Sequence, residues 1–162
     1  MIVVSDTSPI CYLLLIGEIE LLPQLYGQVL IPRIVQQELS DTRSPVSVQN
    51  WSNRPPEWLV VQTVDVPSNS DLDALDPGER AAIVLAEQQG ANLVIIDDSL
   101  GRQVAQSRGL RVTGLLGVLD EAARQNLVDF PKAISRLQET TFRASSQLIQ
   151  SLLQRYQSEN EI

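Results

Sequence analysis

Apolar and polar residues follow two periods along the chain. Short runs rich in β-branched residues, such as residues 2–5 (IVVS) and residues 92–97 (NLVIID), indicate buried strands. Longer segments with apolar residues three and four positions apart separate them and indicate helices. Strands that alternate with helices in this way are typical of a parallel sheet covered by helices on both faces.

The pattern predicts a three-layer α/β/α sandwich with a short, mostly parallel sheet of about five strands, plus C-terminal helices. Strands are expected at residues 2–5, 28–31, 58–64, 92–97 and 110–114. Helices are expected at residues 8–17, 18–27, 32–40, 46–51, 76–90, 99–109 and 115–127, with two more between 130 and 157 that divide near Thr140 and Thr141.

Two helix starts carry capping signals. In DPGERAAIVLAEQQG, Asp76 is the predicted N-cap, Pro77 the first helical residue and Glu79 the partner in a capping box, while Gly90 ends the helix. For the first helix, Ser8 is the predicted N-cap, with Pro9 after it.

A chain of 162 residues is the size of one domain, and we expect a single domain over residues 1–162. Residues 130–162 are the expected C-terminal helical extension, packed on the core or on a partner. Its apolar stripe, which needs such a cover, consists of Leu148, Ile149, Leu152 and Leu153.

The longest strictly apolar run, residues 10–16, is far too short to span a membrane, and the amino terminus lacks the basic region of a secretory signal. We therefore expect a cytoplasmic protein that does not engage the membrane. The single cysteine, Cys11, cannot form an internal disulfide.

The absence of histidine narrows the possible chemistry. It excludes Ser/His/Asp and Cys/His hydrolases and sites in which histidine binds zinc. Catalysis, if the protein performs any, falls to carboxylates, whose oxygen atoms favour Mg²⁺ or Mn²⁺.

The net charge of −8 is unevenly distributed. Residues 1–98 hold 4 Arg and 14 Asp or Glu, whereas residues 99–162 hold 8 Arg or Lys and 6 Asp or Glu. Nucleic-acid affinity depends on cationic side chains that neutralise phosphates. A nucleic-acid role for this chain therefore requires a bound cation, local arginines or a basic partner.

Several acids are expected at the carboxyl edge of the sheet, where ligands bind in such folds. They are Asp6 after the first strand, Asp97 and Asp98 after the fourth, Glu79 in the first turn of the preceding helix and Glu38 near the end of another. Carboxylates that point at one spot raise one another's pKa, and a divalent cation relieves the conflict.

Each acid also has a purely structural explanation. Asp6 could cap the first helix, Glu79 could serve only the capping box, and Glu38 could be a solvated helix residue. Asp97 and Asp98 could stabilise the start of the next helix. Arg102 could pair with Asp98 or approach a substrate phosphate. None of these explains why the acids share one edge.

Four segments, in order, resemble the PIN domain, and within it a prokaryotic PIN-like branch. They are VVSDTSPICYL, LIPRIVQQEL, LDPGERAAIVLA and LVIIDDSLGRQVAQSRGLRVTGLLGVL, and FRASSQLIQSLL resembles the C-terminal helix of that branch. The resemblance implies a Mg²⁺- or Mn²⁺-dependent endoribonuclease, often the toxin of a toxin–antitoxin pair. It also implies RNA as substrate, a small antitoxin as partner and a homodimer.

Carried over to this sequence, the resemblance assigns the catalytic acids to Asp6, Glu38, Glu79 and either Asp97 or Asp98. The metal would be held by the same strand-end aspartates together with Glu79. Many family members have a Thr-x-Asp turn after the fourth strand with another acid soon after, whereas Ser99, Leu100 and Gly101 follow here. Adjacent side chains on a strand point to opposite faces, so one of the two aspartates is the expected direct ligand, and the spacing favours Asp98.

The leading hypothesis is therefore a carboxylate ribonuclease in which Ser8 and Arg102 bind the scissile phosphate. The alternative is a PIN-like binding or regulatory module with little turnover that acts through protein partners. The acidic charge and the 4% aromatic content favour this alternative, because single-strand binders usually offer aromatic stacking surfaces.

Overall fold

The structure, a computed structural model, describes residues 1–68 and 71–160, and residues 157–160 by their backbone only. The chain divides into two compact units, which meet in sequence after Leu115. The first unit carries the sheet and every predicted site residue. The second begins at Leu116 and is helical in its described part.

In the part of the chain that the structure describes, the sheet has five parallel strands in the order β3-β2-β1-β4-β5, which confirms the predicted α/β class. Strand β1 is central, and its neighbours β2 and β4 pair with it through Val4 to Leu30 and Val4 to Val94. The strands are β1 Val3–Ser5, β2 Val29–Pro32, β3 Leu59–Gln62, β4 Leu93–Ile95 and β5 Val112–Thr113.

The described helices follow the predicted order closely. They are α1 Thr7–Leu15, α2 Leu21–Tyr26, α3 Arg33–Leu39, α4 Val46–Asn53, α5 Pro77–Gln89, α6 Ser99–Ser107, α7 Leu115–Arg124, α8 Phe130–Gln138 and α9 Ser146–Asn160. A short 3₁₀ helix at Asp71–Ala74 lies between the predicted strand at 58–64 and the predicted helix at 76–90, where the sequence predicts no helix or strand.

The start of α1 differs from the prediction that Ser8 is the N-cap. The helix begins at Thr7, and Asp6 occupies the N-cap position with an extended backbone, φ −81° and ψ 176°. The chain turns into the helix directly from β1, so no residue is left between strand and cap. Helix α5 agrees with the prediction, since Asp76 Oδ1 accepts a hydrogen bond of 2.9 Å from the Glu79 N–H and Gly90 adopts a left-handed conformation.

Helix α5 packs against the three central strands β1, β2 and β4. Its residues from Ala81 to Ala86 are all buried, and those from Ala82 onward share a core with Val4 and Val94. A crossover helix between parallel strands begins at their carboxyl edge and returns to the other edge. This packing therefore fixes the first turn of α5 beside the carboxyl ends of β1 and β4.

The second unit is held by contacts between α8 and α9. The ring of Tyr156 stacks on Phe130 with a centroid separation of 4.6 Å, and its hydroxyl donates to Asp120 Oδ1 at 2.6 Å. In the apolar stripe of α9, Ile149 is buried, whereas Leu148 is 47% exposed. Within the described part of the chain, no helix combines the length and the hydrophobicity needed to cross a bilayer.

Candidate active site

The strand order reverses direction at β1, where the chain places β2 on one side and β4 on the other. Ligands of open parallel sheets bind at such a reversal, outside the carboxyl ends of the strands. Asp6 follows β1 at this edge, and Asp97 and Asp98 follow β4. The Asp6 N–H donates to Ile95 O at 3.0 Å, so the main chains stay paired as far as the first acid.

Asp6 is a buried carboxyl that does not cap its helix. Only 5% of the residue is exposed, and its side chain accepts no capping hydrogen bond. Its Oδ1 is buried without a hydrogen-bond partner among the described residues. Burial raises the pKa of Asp6 to about 7, and the negative charges of Asp76, Glu38 and Asp97 add to the effect. Asp6 thus stands at the N-cap position without a capping hydrogen bond from its side chain, so capping does not account for the burial of this carboxyl group.

Glu38 reaches Asp6 across the first turn of α5. Its carboxylate accepts hydrogen bonds from the Thr7 hydroxyl and the Gly78 N–H. A methyl group on Gly78 would lie 2.7 and 2.8 Å from the two Glu38 oxygens and 3.1 Å from Asp6 Oδ1. The carboxylates of Asp6 and Glu38 thus lie close together above Gly78. Glu38 is therefore not a solvated helix residue, which was the alternative explanation. Burial raises its pKa above the ordinary value, while the two hydrogen bonds oppose the shift.

Glu79 is buried at the same edge and points toward α6. Only 7% of the residue is exposed, and its Oε2 would lie 3.3 Å from a methyl group on Gly101. Burial raises the pKa of Glu79, and a hydrogen bond between its carboxyl group and that of Asp76 adds to the rise, as do the charges of Asp6 and Asp98. The side chain of Glu79 therefore belongs to the acidic cluster as well as to the helix start.

The two aspartates after β4 have different environments. Asp98 is exposed and caps α6, because its Oδ2 accepts a hydrogen bond of 2.9 Å from the Gly101 N–H. Asp97 Oδ1 accepts a hydrogen bond of 2.7 Å from the Leu115 N–H, while Asp97 Oδ2 is buried without a partner in the described structure. Burial raises the pKa of Asp97, and the Leu115 N–H and the charge of Arg102 oppose the shift.

The two predicted phosphate-binding residues occupy first turns of helices at this edge. Ser8 is the second residue of α1 and is half-buried. Arg102 is exposed in α6, and its charge acts on Asp97. A methyl group on Gly114 would lie 2.9 Å from Asp97 Oδ1 and 3.4 Å from Arg102 Nη1, so the two side chains approach each other there.

Three residues of the site have functions that the sequence alone does not reveal. Asp76 is predicted only as a cap, yet its charge acts on Asp6, Glu38 and Glu79. Thr7 binds Glu38, and Gly78 makes room for two carboxylates. The signal that indicates Asp76 and Gly78 is the sequence DPGE, which puts two acids and a residue without a side chain into one helical turn.

The donor set suits a hard divalent cation. It consists of carboxylate oxygens, and two of these, Asp6 Oδ1 and Asp97 Oδ2, are buried without partners in the described residues. Among the side chains that the structure describes, those of residues 1–68 and 71–156, no three acids converge tightly enough to form a ready ligand set. A site with two carboxylates remains compatible with Mg²⁺, which usually keeps several of its waters.

Comparison with known families decides the affiliation. A family model described as PIN domain matches residues 2–158, nearly the whole chain. The chain belongs to the PIN-domain family. PIN domains are generally nucleases and typically use divalent metals, which agrees in outline with the acidic edge described above.

Among solved structures, this PIN domain is similar to a PilT N-terminus domain protein, SSO1118, from the hyperthermophilic archaeon Sulfolobus solfataricus P2. The TM-score is 0.50, and the match covers 90% of this chain and 100% of that one at 13% sequence identity. At this identity the similarity supports the fold and nothing finer. A comparison with the curated proteins finds no match.

Proposed function

We propose that this PIN domain is a metal-dependent endoribonuclease that hydrolyses RNA phosphodiesters at the acidic edge of its sheet. The observation that carries the proposal is a pair of buried carboxylate oxygens, on Asp6 and Asp97, that follow adjacent strands and lack hydrogen-bond partners in the described part of the chain. Burying such atoms without partners destabilises a fold. A cation that binds both oxygens removes this cost.

Asp6 and Asp97 are the direct ligands that we propose for Mg²⁺ or Mn²⁺. The spacing in the sequence favours Asp98, but Asp98 is exposed and its carboxylate caps α6, whereas Asp97 has a free buried oxygen. When bound, the ion supplies charge to a phosphoryl oxygen and lowers the pKa of a water molecule. Glu79 lies close enough to Asp6 for their charges to interact, and it could complete the site through water.

The remaining residues divide the proton transfers between them. Glu38, held by Thr7 and Gly78, orients the attacking water and takes its proton. Glu79, whose pKa is raised by burial, holds a proton that it can give to the leaving 3′ oxygen. The new bond joins the water oxygen to phosphorus and the bond to the 3′ oxygen breaks, which leaves a 5′-phosphate and a 3′-hydroxyl. Arg102 and Ser8 bind the phosphate from the surrounding helix starts.

The decisive experiment is cleavage of single-stranded RNA by purified protein in Mg²⁺, Mn²⁺ or EDTA. Wild type should cut in metal and not in EDTA, and Asp6→Asn and Glu79→Gln should each lose about a hundredfold or more of the rate. Glu57→Gln is the matched control, because Glu57 is exposed and precedes β3 at the opposite edge of the sheet. A wild type that is inert in every metal would contradict the proposal.

We further propose that the nuclease acts as the toxin of a type II pair, restrained by a small antitoxin, and works as a homodimer. The support is the resemblance of its motifs to toxin-type PIN domains. Induced expression in a bacterial host should arrest growth with wild type and not with Asp6→Asn. Normal growth with a soluble, RNA-cleaving wild type would contradict the toxin role and leave the nuclease intact.

A second candidate function is a PIN-like binding or regulatory module that acts through protein partners. The lack of three convergent acids among the described residues and the net charge of −8 favour it. It predicts that calorimetry detects no Mg²⁺ or Mn²⁺ binding and that wild type and Asp6→Asn are equally inert toward RNA.

A further inference from the structure

A second recess lies beside the acids, on another side of the first turns of α5. Its volume is about 290 Å³, close to the lower end of the range for small-ligand sites. The segment after β3 contributes Val64, Val66 and Pro67, α3 contributes Ile34, and α5 contributes Pro77 and Ala81. The recess is therefore mainly apolar and sits at the carboxyl edge, as the acidic cluster does.

Helix α5 separates the two sites. Positions three and four apart share a helical face, so Pro77, Arg80 and Ala81 face the recess while Gly78 and Glu79 face the acids. A helix with its side chains is roughly 10 Å across. A strand of RNA whose phosphate lies at the acids can thus place a neighbouring nucleotide at the recess.

The recess has few polar groups, and they include both a hydrogen-bond donor and an acceptor. Arg80 contributes a guanidinium whose Nε is buried and lacks a hydrogen-bond partner among the described residues. Asp73 contributes a carboxylate and Ser68 a hydroxyl. A planar donor and an acceptor on apolar walls match the edge of a nucleobase, and guanidinium groups also stack on bases.

We propose that this recess receives the base of a nucleotide next to the scissile phosphate and that Arg80 reads its edge. Guanine matches the lining best, because its O6 and N7 accept from a guanidinium, and its N1–H and N2 amino group can donate to a carboxylate. The inference rests on the proposed ribonuclease function and adds a base preference to it. It also gives an acidic protein with 4% aromatic residues a way to hold RNA without aromatic stacking.

The first test maps the cut sites in a single-stranded RNA pool that offers every base around each phosphate. Wild type should prefer one base, expected to be guanine, by about tenfold or more at a position next to the cut. Arg80→Ala should lose the preference while still cutting. Arg80→Lys should not restore it, because lysine keeps the charge but lacks the planar fork. Arg54→Ala, at an exposed arginine after α4, is the control that should keep it.

The second test does not need catalysis. The four nucleoside monophosphates are titrated in EDTA and followed by NMR, with GMP expected to bind about tenfold more tightly than UMP and to lose this advantage in Arg80→Ala. Cleavage whose base preference survives Arg80→Ala would overturn the recess proposal and leave the nuclease standing. Arg80-dependent binding of GMP by a protein that cuts no RNA would overturn the nuclease, and with it the position next to a scissile phosphate, but would keep the recess as a guanine-binding site. A protein that neither cuts RNA nor binds GMP would overturn both proposals.

Discussion

At the scale of single residues, the acidic edge is a set of groups that oppose folding until something neutralises them. Asp6 and Glu79 are both almost fully buried, and the pKa of each is raised by that burial. The sequence predicts that acids gather here, because all of them except Glu38 follow a strand or open a helix at the same edge. It cannot predict which oxygens are left without partners, since this depends on side-chain packing.

Because the pKa of Asp6 is raised in the folded state, the stability of the metal-free protein should decrease as the pH rises. The ordinary value is 3.8 and the folded value about 7, so between these the folded state binds more protons than the unfolded state. The free energy of unfolding should therefore decrease from pH 4 to pH 7, by at most about 4 kcal/mol from this group. Thermal melting in EDTA at pH 5 and pH 8 measures the change.

Asp6→Asn should flatten that pH dependence and raise the melting temperature at pH 8, while Glu57→Gln should leave both unchanged. Mg²⁺ should raise the wild-type melting temperature at pH 8, because a cation that binds only the folded state stabilises it. A wild type that melts higher at pH 8 than at pH 5 in EDTA would contradict the role given to Asp6.

Gly78 predicts an opposite effect of one substitution on activity and stability. In Gly78→Ala the new methyl group displaces the Glu38 carboxylate, so cleavage should fall by about tenfold or more. The displaced atoms lie at the end of a flexible side chain, so they can move at little cost. Alanine also stabilises a helix more than glycine does. The melting temperature should therefore stay equal or rise. In a Glu38→Gln background the same substitution should cost little further activity. Additive losses would contradict this coupling.

At the scale of elements, the pattern of strands and helices is predictable from the sequence because hydrophobic period and capping residues agree. The short strand at residues 2–5 and the helix after Asp76 are confirmed nearly residue by residue. The first helix starts earlier than predicted because Asp6, not Ser8, stands at its N-cap position. The 3₁₀ helix at Asp71–Ala74 escapes prediction because four residues carry no detectable period.

The two aspartates before α6 predict separable effects. Asp98→Asn keeps a good N-cap, so the melting temperature and the Mn²⁺ affinity should both stay close to wild type. Asp97→Asn should weaken Mn²⁺ binding by about tenfold or more, because it removes the charge from a proposed ligand. Isothermal titration calorimetry on both variants makes the comparison. Loss of binding in Asp98→Asn alone would restore the assignment that the spacing favours.

At the scale of the whole molecule, charge limits how RNA can be held. The arginines are fewer than the acids, and Arg108, one of those in the second part of the chain, is engaged by Asp71 at 2.6 Å and Glu87 at 3.0 Å. These ion pairs join the segment before α5, α5 itself and the end of α6. Arg108 is therefore better suited to stabilising the fold than to binding phosphates. The sequence alone does not reveal this role.

The excess of acids over arginines predicts that RNA affinity depends on divalent cations. With the Glu79→Gln variant, used to prevent cleavage, a short single-stranded RNA should bind at least tenfold more tightly in Mg²⁺ than in EDTA at equal ionic strength. Fluorescence anisotropy gives both constants. Adding Asp6→Asn should shrink the difference. Equal affinity with and without Mg²⁺ would show that cationic side chains alone hold the RNA.

The pairing of β1 with β4 bears on ion selectivity. The hydrogen bond from the Asp6 N–H to Ile95 O fixes the two main chains beside each other where Asp6 and Asp97 emerge, and paired strands lie about 4.8 Å apart. The main chains cannot separate at Asp6 and Ile95 without breaking this hydrogen bond, and Asp97 follows Ile95 by only two residues. Mg²⁺ binds oxygen at about 2.1 Å, whereas Ca²⁺ needs a longer radius and more ligands. Main chains held this close together favour the smaller ion, so we expect the proposed site to bind Mg²⁺ in preference to Ca²⁺.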